Sequence, residues 1–130
     1  MGRYKLRILQ CILLAMFVSS CASYHNLNKD GANHLGGGFL DSELVPGFYK
    51  LTVKTNFAPW TNFSGAWSTW NKRAKELCDQ DFENYEVEES SYNTVAGEGY
   101  IVSQVKGYVY CSGFSLGKRE IESLISTNGY

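Results

Sequence analysis

The chain is poor in several things at once. Its 130 residues include two prolines (Pro46, Pro59) and two histidines (His25, His34). Its longest apolar run, broken only by Gln10, covers the 11 residues from Ile8 to Val18. A bilayer-spanning helix needs about 20 such residues, so no segment reads as a membrane span. Both histidines lie before Gly36, which leaves none in the rest of the chain to serve a Ser-His-Asp arrangement. There is no Cys-x-x-Cys and no Gly-x-Ser-x-Gly, the spacings expected of thiol redox sites and α/β-hydrolase nucleophiles. Gly36-Gly37-Gly38 has no Lys-Ser/Thr after it and no strand before it, so it is no phosphate loop, and no cofactor is implied. Positive charge is not in excess either, with Lys+Arg 12 against Asp+Glu 13. Arg3, Lys5 and Arg7 fall in the first 20 residues, leaving 9 basic and 13 acidic side chains in the remainder. A remainder of that sign argues against nucleic acid as a partner, because neutralising phosphates needs clustered cations.

What is present is concentrated at the start. Residues 1–7 are basic, the apolar run follows, and Val18-Ser19-Ser20-Cys21 closes it. A positive head, a short apolar stretch and small residues describe a secretory signal peptide over 1–20. The last four of these residues resemble the bacterial lipobox, with an aliphatic residue three before a cysteine and small residues between. A thiol is nucleophilic enough to take a diacylglycerol as a thioether, and small neighbours let a peptidase reach the bond before it. The resemblance implies that Cys21 becomes the first residue of the mature chain and carries acyl chains. Two or more such chains anchor a protein stably where one does not. Ala22 follows the cysteine rather than Asp, which by the same resemblance implies the outer membrane, facing the periplasm.

The remaining cysteines then pair off. Cys11 leaves with the signal and Cys21 takes lipid, so Cys78 and Cys111 are left. Beyond the inner membrane the compartment is oxidising, and two thiols there are expected to form a disulfide. The alternatives, a redox-active pair or half a metal site, lack a Cys-x-x-Cys and a nearby histidine.

Residues 21–38, rich in Asn, Gly and Ser, read as a flexible tether, and 39–130 as one domain. Within it, Val45-Pro46-Gly47 signals a turn. Phe48 to Thr55 alternates, with Tyr49, Leu51 and Val53 on one face. Trp67, Trp70, Ala74, Leu77 and Cys78 recur at helical spacing, which predicts a helix over 65–78 with Ser64 as its cap. Asn84 to Ser90 alternates again, Tyr85 and Val87 against Glu86 and Glu88. Tyr100 to Cys111 forms a longer strand with Val105, Val109 and Cys111 on its inner face. Ile121, Leu124 and Ile125 predict a short terminal helix. The order is β-α-β-β plus that helix, a two-layer α+β sandwich with both cysteines facing the layer between helix and sheet.

A family resemblance appears in Gly37-Gly38-Phe39, Leu44, Tyr49-Lys50-Leu51-Thr52-Val53 and Arg73-Ala74-Lys75-Glu76-Leu77-Cys78. These residues, spanning about 37–90 of the chain, look like a group of small proteobacterial lipoproteins of unassigned function. In that group a Gly-Gly-aromatic motif precedes a strand and a helix with an Arg-Ala-Glu-Leu-like stretch. This chain departs from it after the first strand, with Thr55-Asn56 where the group has Gly-Asn.

Chemistry is sparse. Asp79, Asp81 and Glu83 open like a calcium loop, but Asn84 and Ser90 stand where that loop needs Gly and Glu. No metal site is expected. The unexplained excess is aromatic: Phe57, Trp60, Phe63, Trp67 and Trp70 fall within 14 residues. The helix pair reads as core, and Phe57 and Trp60, in a loop, as a binding surface. The expected function is non-catalytic: a lipid-anchored envelope module contacting an envelope protein or peptidoglycan. The alternative is an envelope enzyme or small-ligand carrier whose site no motif reveals.

Overall fold

The computed structural model describes residues 2–5, 7, 8, 10, 24–31, 36–79, 81–94 and 99–128. Cys21, Cys11 and His34 lie outside the described residues. Residues 2–5, 7, 8 and 10 are helical and exposed. A short α1 (Leu27–Asp30) precedes β1 (Gly38–Val45) and β2 (Phe48–Lys54). Then come α2 (Phe63–Cys78), β3 (Phe82–Asn93), β4 (Ile101–Cys111) and α3 (Lys118–Asn128). The four strands form one antiparallel sheet in the order β1-β2-β4-β3. The α+β class and the terminal helix are as the sequence predicts; β1 is an addition. The β1–β2 hairpin turns at Pro46-Gly47, where Gly47 takes the positive φ of 85° that a Pro-Gly turn requires.

Alternation assigns the two faces of the sheet. Phe39, Leu51, Val53, Val105 and Val109 point to one side, where α2 packs Ala66, Trp70, Ala74 and Cys78 against them. The stripe on α2 therefore runs at spacings of four, with Trp67 and Leu77 half-buried at its margin. Trp70 is wholly buried, and its indole Nε1 donates to Asn84 Oδ1 at 2.9 Å, so the ring is buried without an unsatisfied donor. Cys78, at the end of α2, is bonded to Cys111, at the end of β4, with Cα atoms 5.1 Å apart. Helix periodicity and strand alternation together bring the two thiols to the same layer, as expected.

The helix begins two residues before the predicted start. Asn62 rather than Ser64 caps it, its Oδ1 accepting from Gly65 N at 3.0 Å. Asn62 N in turn donates to Ser103 Oγ at 2.7 Å, which ties the cap to β4.

The opposite face carries a smaller aromatic cluster. Phe48 is buried between Tyr108 and Phe114, with ring centroids 5.6 and 5.5 Å away. Near it the end of α3 is held by Lys50 Nζ, which donates to Asn128 O at 3.1 Å. Ile121, Leu124 and Ile125 on α3 are only half-buried.

The simple alternation expected for β3 is corrected by a bulge. The register steps from Tyr85↔Tyr108 to Glu88↔Lys106, so Glu86 and Val87 together oppose Gly107. Glu86 adopts a φ of 46°, and a Cβ on Gly107 would lie 2.7 Å from Val87 Cα. The glycine leaves room for the bulged backbone. As a result Tyr85 and Glu88 share the α3 side, while Val87 turns to the core and Glu89 toward α2. Glu88 pairs there with Lys106 at 2.8 Å.

Candidate functional site: an aromatic and polar cleft

The segment from Thr55 to Asn62 does not swing free. Thr55 N donates to Ser103 O at 2.9 Å, and Ala58 exchanges both backbone hydrogen bonds with Ile101 at 3.0 and 2.8 Å. Ser103 N donates to the Thr55 hydroxyl at 3.0 Å, and both residues are buried. The backbone of the loop is thus stitched along the start of β4. Phe57 is half-buried edge-on against Tyr100, centroids 5.3 Å apart. Trp60 remains 66% exposed. The two residues singled out from the sequence therefore differ: one is a support, the other is presented to solvent.

Between this loop and the helix lies a cleft of about 630 Å³. Phe57 and Trp60 line one wall. The other is the polar face of α2, where Gly65, Ser68, Thr69 and Lys72 recur at spacings of three, one and three. Asn56 and Asn62 add amide groups, and Tyr24 completes the lining. Among the described residues that line it, Lys72 and Tyr24 are the titratable side chains, and no carboxylate is present. Such a lining offers a ring to lie against, hydroxyls and amides to hydrogen-bond, and one cation. It offers no paired carboxylates or nucleophile–base pair for acid–base catalysis.

Tyr24 also belongs to a clamp beside the cleft. Its ring lies tilted against Phe39, centroids 5.0 Å apart, Lys72 Nζ sits 3.7 Å above it, and its hydroxyl donates to Glu76. Burial and the Glu76 carboxylate push the Tyr24 phenol up to about 12, and the same hydrogen bond holds Glu76 below the usual carboxylate range. Arg73 donates from Nε to Asp41 Oδ2 at 2.8 Å and from Nη1 to Glu76 at 3.2 Å, its guanidinium 4.8 Å from the Phe39 ring. Beside them Phe39 N donates to His25 O at 3.0 Å, and Asn26 and Phe39 form a parallel bridge. A Cβ on Gly38 would lie 2.7 Å from the Leu27 side chain, so the glycine permits this close passage.

These contacts place residues 24–31 on the domain, whereas composition suggested a free tether through 38. They also give the sequence motifs a physical role. Phe39 of the Gly-Gly-aromatic motif and Arg73 and Glu76 of the helical motif meet around Tyr24. Ala74 and Cys78 of the same stretch lie in the core.

The rest of the sequence candidates separate cleanly. Trp67 donates from Nε1 to Glu89 Oε1 at 2.6 Å and packs on Trp70 at the core margin. Asp79 ends α2 with a left-handed φ of 51°, and Glu83 accepts from the Tyr110 hydroxyl. No group of three or more His, Cys, Asp or Glu side chains that could hold a metal ion occurs among the described residues. No helix among them is long and apolar enough to cross a membrane. Asn56, Asn62, Ser68, Thr69, Lys72 and Tyr24 were not singled out as site residues. The recoverable signal was the polar run at 65, 68, 69 and 72 on the side of α2 away from its apolar stripe. Compared with protein-family models, with curated proteins and with solved structures, the chain matches none.

Proposed function

We propose that this chain is a bacterial envelope lipoprotein, anchored through acyl chains on Cys21 in the outer membrane and facing the periplasm. Its folded domain is a non-catalytic binding module that uses the cleft beside Trp60. The address rests on the basic head, the short apolar run and the Val18-Ser19-Ser20-Cys21 motif. The Cys78–Cys111 bond agrees with an oxidising compartment. The observation that carries the binding role is the cleft itself: an exposed indole faces a polar helix wall, on a loop fixed to β4. A tryptophan has only two side-chain torsions to fix, and on a loop whose backbone is already bonded it loses little freedom on contact, so its buried area translates into affinity.

The test of the anchor is the intact mass of the protein purified from membranes. A mature chain beginning at Cys21 with acyl mass added supports the reading, and Cys21→Ala should then accumulate as uncleaved precursor without acyl label. A mature chain with a free amine at another residue would remove it.

A further inference from the structure

We propose that the cleft lies against the headgroup layer of the same bilayer that holds the anchor, and that its ligand is a phospholipid headgroup. The inference rests on the acylation of Cys21 and names the partner of the cleft.

The argument begins with reach. Three backbone steps separate Cys21 from Tyr24, and at about 3.6 Å per residue even a fully extended chain covers no more than about 11 Å. Tyr24 is not at the end of a tether but fixed to the domain by Phe39, Lys72 and Glu76. The acyl-bearing residue is therefore confined to a short radius around Tyr24, which itself lines the cleft. The interfacial layer outside the hydrocarbon is itself only about 5–8 Å thick on each side. With the acyl chains in the hydrocarbon, Tyr24 sits at or just above the headgroups, and the domain stands on the face that Tyr24 belongs to.

The lining fits that environment. Trp60, 66% exposed on the same cleft, has an apolar ring and a polar N–H, the combination that concentrates at membrane–water interfaces. Ser68 and Thr69 supply hydroxyls and Lys72 an ammonium group, which together suit a phosphate ester, and no carboxylate lines the cleft to repel it. A cell-wall polymer would have to enter from the side that the bilayer already occupies.

The experiment uses the acylated, full mature protein inserted in phosphatidylcholine vesicles brominated near the carbonyl end of the acyl chains. Flotation first establishes that the anchor is in place; protein left at the bottom of the gradient overturns the anchor and this proposal together. In floating protein, Trp60 is one of three tryptophans. The proposal predicts a loss of emission relative to unbrominated vesicles, while Trp60→Phe, at an exposed position, shows almost none of that loss. A long Gly/Ser insertion between Ala22 and Ser23 should abolish the quenching with flotation unchanged. Equal quenching in wild type and Trp60→Phe would overturn the proposal with the anchor intact. So would a Trp60-dependent emission shift on adding soluble N-acetylglucosamine–N-acetylmuramic acid fragments without bromolipid quenching, which would give the cleft to the cell wall.

Discussion

The two long faces of α2 do opposite work. Toward the sheet it buries Ala66, Trp70, Ala74 and Cys78, and its end is covalently bonded to β4. Toward the loop, Ser68, Thr69 and Lys72 face an open cleft. The difference teaches that one helix can separate stability from recognition by a rotation of its residues. A change on the buried face is felt as lost packing, because interiors relax only partly around a deleted group. A change on the open face leaves the fold standing and, on the function proposed above, alters what the cleft holds.

The comparison can be broken hardest at Trp70. Trp70→Ala removes a fully buried ring and should cost about 3–5 kcal/mol in denaturant unfolding. An effect under about 1 kcal/mol would mean that the core does not sit under α2. Next comes Cys78→Ser. The bond closes a loop across a sequence separation of 33, worth roughly 3–4 kcal/mol in the chain-entropy model. Melting under oxidising conditions should fall accordingly, and reductant should lower the wild type but not the variant. Gly107→Ala tests the sheet rather than the helix. The added methyl meets Val87 backbone at the bulge, so a loss of about 1–3 kcal/mol is expected, with amide exchange accelerated in β3 first.

The smallest effect is a change of pH. The Tyr24 phenol is raised from 10.0 to about 12, so the folded chain holds that proton more tightly than the unfolded one. The stabilisation is complete below pH 10.0 and is lost as pH rises toward about 12. Phenolate absorbance should show late-titrating tyrosines, and Glu76→Gln should move one of them to lower pH while leaving the part of its rise that burial causes. Because Tyr24 is one of several ties on residues 24–31, only that segment should loosen in this range, seen as faster amide exchange in 24–31 before the core.

Sequence reading reached the buried side of this comparison more readily than the open one. Apolar spacing marked α2, and alternation in β4 put Val105, Val109 and Cys111 on the inner face, so the disulfide could be expected from two periodicities. β1 escaped notice because its inner face carries Asp41 as well as Phe39. That carboxylate is satisfied by Arg73, a partner 32 residues away that no local pattern reveals. Glu86 and Val87 broke the pattern in β3 because the space opposite them depends on Gly107, in another strand. Ser68 and Thr69 look in sequence like any solvated helix face, and only the neighbouring loop makes that face one wall of a cleft. Tyr24 was hidden by the polar residues around it, although a lone aromatic in an Asn- and Ser-rich stretch has reason to be docked.

The separation of buried core from open cleft is tested most directly by measuring melting and envelope capture on Trp60→Ala in the same preparation. The account predicts a melting temperature within about 2 °C of the wild type, the response expected of an exposed side chain, together with loss of crosslinks to envelope components. A variant that melts as early as Trp70→Ala while keeping its crosslinks would contradict it.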